Sequence, residues 1–106
     1  MRDLTPELVE LIRFTSTNLS PDVQQTLEQA RDREEKGSAA QSALITILDN
    51  VELSRRNSTP ICQDTGTPIF YVHYPEGWST RRLREQIRHA IVEATKKSYL
   101  RPNAVD

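Results

Sequence analysis

The sequence predicts a mainly α-helical chain with a minor β element: an α+β arrangement of three N-terminal helices, one strand and one further helix. Three observations predict it. Two short triplets, Thr5-Pro6-Glu7 and Ser20-Pro21-Asp22, are built as helix starts. Four apolar stripes recur at spacings of three and four. One run, Ile69 to Tyr74, is apolar, aromatic or His throughout and lies between Pro68 and Pro75.

The elements follow in order. Thr5 supplies an N-cap hydroxyl, Pro6 suits the first helical position and Glu7 faces the positive end of the helix dipole. Leu8, Leu11 and Ile12 carry the first stripe until the polar run Thr15 to Ser20. Ser20-Pro21-Asp22 repeats the device, and Val23, Leu27 and Ala30 follow on one face. That helix ends in the charged run Arg31 to Lys36, with Gly37 as its C′ residue. A third, longer helix aligns Ala40, Ala43, Leu44, Ile47, Leu48 and Val51, with Arg55 and Arg56 at its negative end. The run Ile69–Tyr74 reads as a strand buried on both faces, started by a proline where a missing donor is tolerated. Pro75-Glu76-Gly77 turns the chain, and Ser79 or Thr80 caps a last helix whose stripe is Leu83, Ile87, Ala90, Ile91 and Ala94. It runs to about Ser98, before Pro102. A lone strand needs a neighbour for its backbone groups, and this sequence offers none. The 106 residues are therefore expected to be part of a larger domain.

Composition excludes several classes of function. Fourteen basic and fifteen acidic residues leave a formal net charge of -1, which sets up no field to recruit nucleic acid or an anionic membrane. No stretch of about eighteen apolar residues is present to span a bilayer. The N-terminus lacks the apolar run of a signal peptide, and one cysteine forms no internal disulfide, so the expected compartment is a reducing one, a bacterial-type cytoplasm or else an organelle matrix.

That cysteine, Cys62, stands in Pro60-Ile61-Cys62-Gln63-Asp64-Thr65-Gly66. An amide, a carboxylate, a hydroxyl and a flexible backbone point follow the thiol on a loop between helix and strand, where scaffolded sites tend to lie. No His or second Cys sits nearby at metal-ligand spacing, and a nucleophilic thiol finds no local base. Arg81, Arg84 and Arg88 read as a solvated helix face, with His89 on the same polar side. His73 reads as a packed or hydrogen-bonded residue, and Phe70, Tyr71 and Trp78 as core or subunit contacts.

The stretch "RRNSTPICQDTGTPIFYVHY", followed after a helix by "SYLRPNAVD", resembles the amino-terminal region of the iron–sulfur fumarate hydratase and tartrate dehydratase family. The resemblance covers nearly all of residues 1–106, which are then the N-terminal portion of an α-type catalytic domain. It implies a hydro-lyase that interconverts a 2-hydroxy dicarboxylate with its unsaturated partner, of the fumarate/malate or tartrate/oxaloacetate type. It implies that Cys62 is one of three ligands of a [4Fe-4S] cluster, the other two lying outside this chain. Gln63, Asp64 and Arg101 then line the dicarboxylate site, and Asp64 either accepts a proton or positions donors. The chemistry is consistent: a cubane held by three thiolates leaves one iron open as a Lewis acid, and an arginine fork matches a carboxylate. Implied partners are the rest of the α-type domain, a β-type subunit or domain, and further copies in a homo-oligomer. The isolated chain is expected to be inactive, because one cysteine cannot hold the cluster. The other reading is a non-catalytic helical interaction module that keeps only the family's assembly surface.

Overall fold

A computed structural model of the chain describes residues 2–61 and 67–101. Helix signals become four helices: α1 (Thr5–Thr17), α2 (Pro21–Arg33), α3 (Ala39–Asn57) and α4 (Thr80–Lys96). Several of their ends differ from expectation in local chemistry. Thr5 is not the cap of α1. The N-cap position falls on Leu4, which has no capping side chain, and Asp3 just before it bonds the first helical residue, its Oδ1 accepting from the Thr5 backbone N–H at 3.0 Å and from the Thr5 hydroxyl at 2.6 Å. These bonds hold the Asp3 carboxyl below the usual carboxylate range. Ser20 occupies the N-cap position of α2 without a side-chain cap bond, leaving Pro21 and Asp22 as the start signal. Gly37 lies in the turn before α3 rather than directly after α2, with φ of 82°. There Ser38 Oγ accepts from the Gln41 N–H at 3.1 Å, and Gln41 Oε1 accepts from the Gly37 N–H at 2.8 Å. The pair is a variant of the capping box in which Gln41 reaches the N–H of the residue before the cap rather than that of Ser38 itself. Ser79 caps α4, accepting from the Arg82 N–H.

The helices pair as α1 with α4 and α2 with α3, and α1 makes a slighter contact with α3. Val9 and Ile12 of α1 pack against Ala90 and Ala94 of α4, both fully buried, and Leu100 completes the cluster. The α1 stripe is rotated from the expected one: Val9 is buried and Leu11 is 53% exposed. In α4 the deepest residues are Leu83, Gln86, Ala90 and Ala94, while Ile87 and Ile91 are half-buried. Gln86 is a buried amide whose two ends are both used. Its Oε1 accepts from the Leu4 N–H at 3.0 Å and its Nε2 donates to the Arg2 carbonyl at 3.4 Å, which ties the N-terminal segment to α4.

The expected strand is not there. Among the described residues there is no strand, and Ile69–Tyr74 forms no ladder. Its residues are not buried on both faces either: Ile69 is 72% exposed and Tyr71 89%, with only Phe70 of this pair's neighbours turned into the core. The physical reason is the missing partner. A strand's donors and acceptors need a second strand, and none of the described residues supplies one. The architecture of the described residues is all-helical, not α+β.

No residue of α2 is buried, and α3 buries only Val51 and Ser54. The radius of gyration is 17.3 Å with extents of 57 × 27 × 21 Å, against about 13 Å for a compact chain of this length. The α2–α3 hairpin thus extends away from the α1–α4 core.

Three outcomes follow. Ala94→Leu should lower stability by about 1–3 kcal/mol in denaturant unfolding, because no space exists at the α1–α4 crossing. Val92→Ala, on the exposed side of α4, should stay within about 0.5 kcal/mol. Ser38→Ala should cost about 1 kcal/mol through the lost cap, read as a fall in helical circular dichroism and unfolding midpoint.

Candidate functional site

The Cys62–Gly66 segment lies outside the described residues, and with it Cys62, Gln63 and Asp64. Its two flanks are described, and their anchoring begins with the end of α3. Ser58 adopts a left-handed conformation (φ 52°), and the Thr59 N–H returns to the Ser54 carbonyl at 3.1 Å, which closes the helix and reverses the chain. Pro60 and Ile61 are thereby laid along α1 and α3. The Ile61 N–H donates to the Ser16 carbonyl at 3.1 Å, one of the last carbonyls of α1 and so without an intrahelical partner. Asn50 Nδ2 donates to the Ile61 carbonyl at 3.0 Å, and the Ser54 hydroxyl lies 3.5 Å from the Pro60 carbonyl.

The following flank returns to the same place. Thr67, Pro68, Ile69, Phe70 and Tyr71 line a cleft of about 340 Å³ whose other wall includes Leu11, Thr15 and Ser16 of α1. Leu100 closes it. It arrives there because α4 ends in a left-handed Ser98 (φ 65°), after which the Tyr99 N–H bonds the Ala94 carbonyl at 2.9 Å and Leu100 drops into the core. Arg101, the next residue, is exposed. The structure therefore brings three pieces of the expected site to one end of α1: the residues before the motif, the residues after it, and the Leu100–Arg101 segment. A larger cleft of about 660 Å³ lies at the α1–α2 elbow beside Phe14, Gln24 and Arg55, and neither flank of the motif lines it.

Several cations are already engaged. Arg13 donates from Nε to both carboxylate oxygens of Glu10 at 2.9 Å, and its Nη1 lies 3.4 Å from the Ser58 hydroxyl. The bonds from Arg13 hold the Glu10 carboxyl below its ordinary range and raise the guanidinium in turn. Arg55 and Arg56 both pair with Glu52, and the bond from Arg55 is the main cause that keeps the Glu52 carboxyl low. Arg81, Arg84 and Arg88 form the solvated face expected, Arg81 pairing with Glu85 at 3.6 Å. His73 is exposed, not packed as expected, because the segment that carries it has no covering layer. Among the described residues no group of three or more His, Cys, Asp or Glu could hold a metal ion. Residue-level reading missed Asn50, Ser54 and the Ser16 carbonyl, since nothing in a helical pattern marks which polar residue or backbone group meets a loop.

Comparison with known proteins places the chain. The family model described as "Fumarate hydratase (Fumerase)" matches residues 5–106. A Geobacillus stearothermophilus protein whose name assigns it to class I fumarate hydratase is 42% identical over 106 residues, all of this chain and 21% of that protein. The L(+)-tartrate dehydratase subunit alpha of Escherichia coli K12 is 32% identical over 104 residues, 97% of this chain and 34% of its own. A Methanocaldococcus jannaschii protein named for the same subunit is 31% identical over 101 residues, 92% of this chain and 35% of its own. The chain thus spans about a fifth to a third of the length of these relatives. Because the family model runs through nearly every residue, including the Cys62 motif and Arg101, the chain belongs to the fumarate hydratase (Fumerase) family.

Proposed function

We propose that this chain is the amino-terminal portion of an iron–sulfur hydro-lyase that adds water to, or removes it from, a small dicarboxylate of the fumarate/malate or tartrate/oxaloacetate type. The observation that carries the reading is the convergence of both flanks of the Pro60–Gly66 motif and of Leu100–Arg101 on one end of α1, in a chain whose relatives are named as such enzymes. Arg101 is the carboxylate-binding residue in this reading. Its planar fork donates two parallel charge-assisted hydrogen bonds, and its exposure beside the cleft leaves the head accessible to a small anion. Gln63 orients the same substrate group through its amide, and Asp64 accepts a proton or positions donors there. Cys62 is a thiolate ligand of a [4Fe-4S] cluster.

The residues of this chain do not hold that cluster by themselves. Cysteine thiolates bind such clusters, and the sequence contains one. The reading therefore requires two further thiolates from a longer polypeptide, for which the relatives' lengths leave room. When bound, the cluster supplies an open iron as a Lewis acid. The tartrate dehydratase relatives are named as alpha subunits, which supports a β-type subunit or domain as partner. A lone thiol and an oxygen-sensitive cofactor suit the cytoplasm.

In the longer polypeptide that contains this segment, Cys62→Ser should lose iron and turnover together, since a hydroxyl replaces a soft thiolate. Arg101→Lys should keep its iron yet lose the bidentate fork, at about 2–4 kcal/mol or roughly 30- to 1000-fold in kcat/KM. Iron content measured beside activity separates the two, and a Cys62→Ser enzyme with full iron and normal turnover would sink the reading. The 106-residue chain alone, reconstituted anaerobically with iron and sulfide, should show no stoichiometric cluster absorbance.

A further inference from the structure

Most side-chain hydrogen bonds among the described residues stay local. The hydroxyls of Thr17, Thr26, Thr46 and Thr95 each donate to a carbonyl one turn back in their own helix. Among the described residues, apart from those of Gln86, every side-chain hydrogen bond that spans more than four residues ends on the short segment before Cys62: Arg13 on Ser58, Ser54 on Pro60 and Asn50 on Ile61. At 3.4 and 3.5 Å the first two are long. The Asn50 bond, at 3.0 Å, has ordinary length.

Asn50 is exposed in the body of α3, where a stronger helix former would serve the helix better. Its amide instead reaches eleven residues along the chain. Ile61 is consequently held on both sides of its peptide units, its N–H by the Ser16 carbonyl of α1 and its carbonyl by Asn50 of α3. Since a peptide unit is planar, fixing the Ile61 carbonyl fixes the plane through which the chain enters Cys62.

We infer that Asn50 is a positioning residue, clamping the Ile61 carbonyl at the α1–α3 corner directly before Cys62. The inference rests on the reading of Cys62, Gln63 and Asp64 as active-site residues. A loop that carries several functional groups loses reactive geometry when its entry point swings, which gives a side chain far from the reaction a catalytic effect.

The test uses Asn50→Asp, which keeps the side chain's size but replaces the N–H donor with an oxygen facing a carbonyl oxygen, and Asn50→Leu, which removes both polar groups. In the 106-residue chain, amide hydrogen exchange at Ile61 should speed roughly three- to tenfold in both variants, with α3 amides and the unfolding midpoint unmoved. In the longer enzyme, kcat/KM should fall roughly 10- to 100-fold at an unchanged unfolding midpoint. Thr46→Ala, which removes a local bond on the same helix, should change neither reading. Unaltered Ile61 exchange overturns the clamp. Faster exchange with normal turnover overturns the positioning role while the active-site reading stands on Cys62→Ser. Normal turnover in Cys62→Ser itself overturns that reading, and the inference with it.

Discussion

The close approach of α1 and α4 is the contact on which the rest depends. Ala90 and Ala94 carry no more than a methyl group and are fully buried, so Val9 and Ile12 can press against the α4 surface with nothing between. This small-against-branched packing sets where α1 lies, and α1 then has two uses. Its inner face makes the core with Leu100 and Phe70. Its last turn offers the Ser16 carbonyl, left over by helix geometry, to the loop before Cys62. Even Thr17, the most deeply buried polar residue of the helix, is satisfied by the Arg13 carbonyl at 2.7 Å, so the platform is polar without being strained.

Left-handed residues at the ends of α3 and α4 convert that packing into a site. Ser58 and Ser98 both sit at positive φ, and each is followed by an N–H that returns to the helix it has just left. One reversal delivers Pro60–Ile61 to α1, and the other delivers Leu100–Arg101 to the same end. Neither turn uses glycine, so a modest conformational cost is offset by the hydrogen bonds that close them.

Away from this corner the chain buries little. Leu11, Ile69 and Tyr71 line one cleft together and are all more than half exposed, and Phe14 stands exposed at the α1–α2 elbow. Scattered apolar side chains are ordinary on a surface, but neighbours sharing a groove form a contiguous patch. The α2–α3 hairpin holds its own shape through caps and local pairs more than through burial, as Ser38 with Gln41 and Glu52 with Arg55 and Arg56 show.

The sequence by itself determined the number, order and approximate limits of the helices, because Pro6, Pro21 and Ser79 act within a few residues of themselves and apolar periodicity is a local property. It also identified the family, since the Cys62 motif is a run of consecutive residues. What lay beyond it depended on partners distant along the chain. The run Ile69–Tyr74 has strand composition, yet strand formation is a property of two segments and the second is not among the described residues. Val9 rather than Leu11 faces the core because the position of α4, not the α1 pattern, chooses which part of a broad apolar stripe is covered. Only the tertiary structure placed Asn50 under Ile61 and Leu100 beside Pro68, since spatial neighbours separated by a helix or more leave no spacing to read.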